Sequence, residues 1–417
     1  MSSVLNYFGY AKPSPTLEEP PPLKKSPVRA LPAPWYTSRE MYECERRAIF
    51  SRKWLFITHR NRLQEPGDFL RYTVAGFDFI ITLDRNHTVN ALHNVCRHRA
   101  YSVVEQKQGR TKILACRYHG WSYGLDGRLA KAPNYQELDG FDKTQNGLFP
   151  IHVHIDTNGF IWVNMDSRKE KPEVSWEDDF ENVDKQERFQ QFKFDDYVLD
   201  HSYELEGGYN WKILADNFNE CYHCKTTHPD VPNFLTIDSA DVDVKDGHMQ
   251  HDHASTPEQR AQGFNVNSTY YFPNASMSIS PHFMMIQKFL PDGPTNSAMH
   301  YEVYRNKNSG EEEFSKIADT YARVMSEDKV LCSIAQKNIN AGVFINGQLH
   351  PKAEKGPLYF QNSVRKVITE HYHREKAAGH EIWPARQQLP SNAFISQEDL
   401  EICEGLACGT QKEELMW

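Results

Sequence analysis

A cysteine and a histidine occur together twice, as C-x-H at Cys96-Arg97-His98 and as C-x-x-H at Cys116-Arg117-Tyr118-His119, with 17 residues between the pairs. Two thiols and two imidazoles can hold one zinc ion, or a two-iron cluster with cysteines on one iron and histidines on the other. Zinc fingers usually collect their cysteines in one half and their histidines in the other. Here each loop supplies one of each, which suits two irons spanned by two loops. A strand-like run precedes each pair, Val89-Asn90-Ala91-Leu92 and Lys112-Ile113-Leu114-Ala115, so both pairs are expected on loops at strand ends.

The surrounding chain has the texture of a small all-β domain. Between Asp68 and Asp166 lie short runs rich in β-branched and aromatic residues, such as 77–83 and 159–164, punctuated by Asp84-Arg85-Asn86 and Asp126-Gly127. Apolar positions at Met41, Cys44, Ala48, Ile49 and Trp54 predict a leading helix over 37–54, with Thr37 or Ser38 as N-cap. Residues 1–36 carry eight prolines and are expected to form an extended, disordered tail outside the core. A charged stretch from Ser167 to Asp195 predicts a boundary. Beyond it, helical patterns at 211–224 and 311–340 alternate with strand-like runs at 270–290 and 299–304, an α+β arrangement. The expected domains are thus 37–166 and 167–417.

A second unusual stretch is Glu220-Cys221-Tyr222-His223-Cys224-Lys225-Thr226-Thr227-His228. His223 and His228 are five apart, which is off the facing i, i+4 spacing, but a helix ending between them can still converge both imidazoles. A carboxylate from elsewhere completes a 2-His-1-carboxylate set that leaves positions open on iron(II). Two stretches compete to supply it, Glu327-Asp328 and Glu398-Asp399, each followed by a helical run and a cysteine. Ser396 and Asp399 have capping-box spacing, which explains that acid without metal; Asp328 has no such partner.

These motifs resemble the Rieske non-haem iron oxygenases, from about residue 35 to 370. The likeness includes Trp54, Pro66-Gly67-Asp68, Asn94-Val95-Cys96-Arg97-His98-Arg99, Tyr118-His119-Gly120-Trp121, Asn210-Trp211-Lys212 and Phe272-Pro273-Asn274. It departs at Ala100, where glycine is usual, and at Arg117, where proline is usual. The resemblance implies a [2Fe-2S] cluster on Cys96, His98, Cys116 and His119, and a mononuclear iron on His223, His228 and an acid. The order Gln336, Gly347, Glu354, Gly356, Phe360 after Asp328 is similar to the branch acting on carnitine and glycine betaine, and favours Asp328 over Asp399. The same resemblance gives Glu220 the role of coupling the cluster of one subunit to the iron of its neighbour in a homotrimer. It implies an N-terminal all-β Rieske domain followed by an α+β catalytic domain with an antiparallel, helix-grip-like sheet.

The expected function is that of a terminal oxygenase using dioxygen to hydroxylate or N-demethylate a quaternary ammonium compound, as in the conversion of choline to betaine aldehyde. The alternatives are an oxygenase for an aromatic or other neutral substrate and, less favoured, a Rieske electron carrier. Aromatic faces would receive a cation, with Tyr203, Tyr209, Tyr270, Tyr271, Phe272, Met277, Phe283 and Met285 as candidates. The chain has no G-x-G-x-x-G and no C-x4-C-x2-C run, so a separate reductase or ferredoxin is the expected electron donor. A net charge of -9 argues against a nucleic-acid partner, and no apolar run is long enough for a membrane span. Eight cysteines in 417 residues predict free thiols and metal ligands rather than a disulfide framework, hence a reducing compartment such as the cytoplasm. Glu18, Glu19 and the single Arg29 in the first thirty residues speak against a transit peptide.

Overall fold

Two seven-stranded antiparallel sheets organise the chain. A computed structural model describes residues 28–135 and 137–387 together with Ser396, Glu398, Asp399, Glu401 and Ile402; most of the expected tail, residues 1–27, lies outside the described residues. The first sheet runs Leu55–His59, Phe160–Asn164, Pro150–Ile155, Val89–His93, Phe77–Leu83, Asp68–Val74 and Gln108–Arg110. Beside it a three-stranded sheet, Leu114–Ala115, Ser122–Tyr123 and Leu129–Lys131, carries the second Cys/His loop. The second large sheet runs Tyr197–Gly207, Ser297–Asn306, Phe283–Pro291, Ala275–Ile279, Asn267–Tyr271, His248–Asp252 and Asp241–Lys245.

Side-chain alternation gives that second sheet two different tasks. Tyr271, Met277, Ile286 and Tyr304 pack with Phe56 and Trp162 of the first sheet in one apolar cluster. The opposite face, with Tyr270, Met285 and Tyr301, is covered by helices Trp211–Phe218, Glu311–Asn340 and Lys355–Ala378. The helical pattern at 311–340 forms over the expected bounds, whereas Lys355–Ala378 was not anticipated.

Three local expectations change. The leading helix spans Arg39–Glu45, with Ser38 Oγ accepting the Met41 amide at 3.1 Å, and continues as a π turn only to Phe50; Trp54 opens into the first strand. Residues 28–36 join the core instead of the tail. The apolar side chains of Leu31 and Tyr36 are buried, and the Leu31 amide donates to Gln361 at 2.8 Å, so burial outweighs the prolines' preference for open chain. The charged stretch at 167–195 separates the sheets in sequence yet joins them in space: Trp176, Phe180, Val183, Phe189 and Phe194 are buried in the inter-sheet cluster. No helix among the described residues is long and apolar enough to cross a membrane.

One buried ion cluster pins the two sheets together. Glu302 on the second sheet is fully buried and meets Lys288 at 3.0 Å and Arg62 at 2.9 Å. Its carboxylate also accepts from Thr58 at 2.6 Å and Tyr72 at 2.9 Å, both on the first sheet, and from Tyr304 at 2.7 Å. Burial alone would raise its pKa, but Lys288 and Arg62 hold it below the usual carboxylate range. Glu302 therefore contributes stability that is present above the unfolded carboxylate value and lost as pH falls through its depressed folded value. Glu302→Gln leaves two cations without their counter-charge, and is expected to cost about 3 to 5 kcal/mol in urea unfolding at pH 7, with the deficit shrinking in acid.

Candidate active site

The two Cys/His loops are built alike. The Cys96 amide donates to the Tyr101 carbonyl and the Ala100 amide to the Cys96 carbonyl, at 2.9 and 3.0 Å. In the second loop Cys116 donates to Trp121 and Gly120 to Cys116, at 2.8 and 3.0 Å. Each turn needs a left-handed residue at its end, Ala100 at φ 56° and Gly120 at φ 74°, which explains why glycine is the usual residue at position 100. The other departure, Arg117, points outward and pairs with Glu105 at 3.2 Å.

The structure brings the four side chains of these loops together. Cys96 and Cys116 are both buried, and burial together with the neighbouring Cys96 thiol pushes the Cys116 pKa up. Tyr123 Oη lies 3.2 Å from Cys96 Sγ and accepts the Arg97 amide at 3.1 Å, which fixes the first loop over the small sheet. The His98 and His119 rings are 4.5 Å apart, and His98 stacks on Trp121 at 5.2 Å. His98 Nδ1 is buried without a hydrogen-bond partner, as expected of a nitrogen reserved for a metal. Paired thiols and paired imidazoles with an orphaned nitrogen fit a two-iron cluster.

The second site forms where the Trp211–Phe218 helix breaks. Helical pattern predicted continuation to 224, but Glu220 folds its carboxylate back onto the Tyr222 and His223 amides, and the next helix starts only at Cys224. The break solves the five-residue spacing of the histidines. His223 sits on the turn, His228 at the end of the Cys224–Thr227 helix, and their rings lie edge to face with centroids 5.4 Å apart. Asp328 Oδ1, from the Glu311–Asn340 helix, lies 3.3 Å from His223 Nε2 and 3.1 Å from His228 Nε2. One ligand atom from each residue falls within 4.8 Å of the others, a geometry suited to a single metal ion. Asp399, the rival acid, instead donates its amide to Ser396 Oγ at 3.0 Å, as in a helix cap.

Each imidazole is held from behind by a carboxylate. Glu220 Oε1 lies 2.5 Å from His223 Nδ1, and Glu327 Oε2 lies 2.5 Å from His228 Nδ1. Such partners fix ring orientation and leave Nε2 free for a metal. Burial would lower the His223 pKa, but Asp328 and Glu220 raise it to about 9. Burial would raise that of Asp328, yet the two histidines hold it below the carboxylate norm. Glu327 escaped sequence reasoning. Its signal was Arg323, four residues earlier on the helix, which holds Glu327 at 2.9 Å and Asp230 at 2.7 Å.

A cavity of about 650 Å³ opens onto this site. Phe218, Phe234, Phe264 and Tyr321 give it aromatic walls, and Asp241 and Asp252 add carboxylates. None of the eight side chains expected from sequence to meet substrate lines it. Tyr271 and Met277 face the first sheet, and Tyr270 packs beneath Phe218. The sheet side of the cavity is instead the strip bearing His251, His253, Val266, Ser268 and Ser278.

A cluster-binding β domain joined to a sheet-and-helix domain with a mononuclear site defines a two-centre iron oxygenase. The chain matches the Rieske [2Fe-2S] domain family over residues 53–142 and the ring hydroxylating alpha subunit (catalytic domain) family over 194–370. It belongs to the Rieske non-haem iron oxygenases, and its cofactors are a Rieske [2Fe-2S] cluster and a mononuclear iron. It is 25% identical to the carnitine monooxygenase oxygenase subunit of Acinetobacter baumannii, over 80% of this chain and 93% of that protein. Likeness to the chloroplastic choline monooxygenase of Spinacia oleracea is 27%, over 84% of this chain and 80% of that one. Among solved structures, the quaternary ammonium Rieske monooxygenase CntA with an inhibitor superposes with a TM-score of 0.74 at 25% identity, covering 82% of this chain and 96% of CntA. Naphthalene 1,2-dioxygenase, at 20% identity and a TM-score of 0.67, shares the fold.

An alanine held at φ 56° carries backbone strain that glycine does not. Ala100→Gly is expected to stabilise the cluster domain by about 1 kcal/mol, read as a higher midpoint for thermal loss of the cluster's visible absorbance.

Proposed function

We propose that this protein is the terminal oxygenase component of a monooxygenase for a quaternary ammonium compound, in the manner of choline monooxygenase. In this reading Cys96 and Cys116 hold one cluster iron and His98 and His119 the other, while His223, His228 and Asp328 hold the mononuclear iron. The observation that carries the substrate class is an aromatic-walled cavity opening directly onto the His223, His228 and Asp328 group; Asp241 and Asp252 on its lining are already engaged by Lys355 at 3.8 Å and Arg188 at 3.3 Å, so the aromatic faces carry the argument. Aromatic faces attract a cation that has no proton to donate. Burial lowers the His251 pKa to about 3, so this imidazole adds no positive charge; the cations on the lining are Lys225, Lys352 and Lys355. The similarity to carnitine, glycine betaine and choline monooxygenases supports the same class.

The chemistry supplied by the bound iron, once electrons arrive through the cluster, is reductive activation of dioxygen beside a substrate C–H bond. One oxygen atom enters that bond, and the other leaves as water with two electrons and two protons. Insertion at the carbinol carbon of choline gives an aldehyde hydrate, which loses water to betaine aldehyde. Insertion at an N-methyl group gives an N-demethylated product. The chain's own residues bind and orient: Glu220 and Glu327 set the imidazole planes, and Phe218, Phe234, Phe264 and Tyr321 place the ammonium group. Electrons come from a separate reductase or ferredoxin. Glu220, bonded to His223 at 2.5 Å, would link this site to the cluster-holding loops of a neighbouring subunit, and a cyclic homotrimer is the assembly proposed to bring them together.

Single-turnover product analysis tests the reading. Iron-loaded, anaerobically reduced protein is mixed with dioxygen and choline, carnitine, glycine betaine or simple aromatics, and products are read by mass spectrometry. Oxidation of one ammonium compound, with label from isotopic dioxygen in the product where exchange does not erase it, is the expected result. Oxidation of an aromatic alone would replace the substrate class, and cluster reoxidation with no product from any compound would remove its support.

A further inference from the structure

Cys221 and Cys224 are joined by a disulfide, contrary to the free thiols that the low cysteine content predicts; Cys44, Cys96, Cys116 and Cys332 are free. The bridge closes around His223. It spans the non-helical turn between the Trp211–Phe218 and Cys224–Thr227 helices, the segment that presents both Glu220 and His223. Regular helix does not hold this turn. It is fixed by the Glu220 carboxylate on the Tyr222 and His223 amides, by a 3.3 Å hydrogen bond from the Cys224 amide to the Cys221 carbonyl, and by the bridge.

Two features separate this bridge from an inert structural staple. Both cysteines are half-buried and line the same cavity as His223 and Asp328, so a small thiol can reach them. A loop this short also removes little chain entropy from the unfolded state, so its effect is local rather than global.

We propose that Cys221 and Cys224 form a reversible dithiol–disulfide couple whose disulfide form pins His223 for the metal and whose reduction loosens it. The partner is a dithiol reductant. One of its thiolates attacks a bridge sulfur, breaking the Cys221–Cys224 bond and forming a mixed disulfide; its second thiol then displaces the remaining cysteine. Two electrons and two protons pass to the pair, and the reductant leaves as its own disulfide. The coupling to metal rests on the reading of His223 as an iron ligand. In the reduced form the Glu220 contacts and the 3.3 Å hydrogen bond from the Cys224 amide to the Cys221 carbonyl remain, but the covalent closure is gone and the imidazole loses part of its fixed orientation.

The test uses full-length protein loaded with iron(II) under anaerobic conditions. One portion is left untreated, and another is reduced with dithiothreitol and desalted. Cysteines are mapped by alkylation and mass spectrometry, and release of the mononuclear iron to a chelator is timed, with the cluster's electron paramagnetic resonance signal as internal control. The expected result is iron release about 10- to 100-fold faster from the reduced form, as when a partner that orients a metal ligand is lost. The cluster signal stays unchanged, and reoxidation restores slow release. Cys221→Ser and Cys224→Ser should release at the fast rate with or without dithiol. Alkylation of both cysteines before any reductant would overturn the couple. Equal release rates from the mapped disulfide and dithiol forms would overturn its link to the metal. Untreated, bridged protein that takes up no iron at His223 would overturn both that link and the ligand assignment, leaving the couple to be decided by the alkylation map.

Discussion

The register between two helices decides whether this chain has a mononuclear site at all. Asp328, Cys332 and Gln336 recur every four residues along one face of the Glu311–Asn340 helix, all three buried. Gln336 accepts the Asn210 amide at 2.8 Å, and Asn217 donates to Asp328 at 3.4 Å. Two turns of one helix are thereby matched against two turns of the other, antiparallel. A slip of one residue would swing Asp328 by about 100° away from the histidines. The Gln336 side chain, which also donates to the Tyr36 carbonyl at 3.2 Å, ties this register to the N-terminal segment. That segment belongs to the site's scaffold.

The rest of the architecture protects that geometry. Its second sheet offers one face to the cluster domain and the other to the helices, so a single layer of strands bears on both centres. The Glu302 cluster makes the interdomain contact specific in a way that the apolar cluster of Phe56, Trp162 and Tyr271 does not. Burying one carboxylate against two cations tolerates little displacement, because each misaligned ion forfeits hydrogen bonds without regaining water.

Much of this was legible in the sequence, because metal chemistry restricts residue type and spacing more tightly than packing does. The cluster pairs and the two histidines stand out from residue type and spacing, and Asp328 is favoured over Asp399 by capping-box spacing together with the family resemblance; the structure sets His223, His228 and Asp328 within 4.8 Å of one another. The 311–340 helix was equally plain from its period. Less legible was anything set by tertiary burial. Residues 28–36 carry prolines that read as tail, yet Leu31 and Tyr36 find a core. The substrate candidates were drawn from aromatic strands, but a strand's sequence does not say which face a helix will cover. Glu327 was hidden by its neighbour Asp328: two adjacent acids on a helix, one turned to each side of His228.

Oxygenase chemistry in this chain depends on two separate iron centres. Anomalous diffraction at the iron K edge, on crystals of the iron-loaded protein, locates them directly. Three peaks per chain are expected: two between the Cys96–His98 and Cys116–His119 loops, and a third among His223, His228 and Asp328. Two peaks in the cluster domain with none at the triad, or a third peak held by other residues, would contradict that expectation.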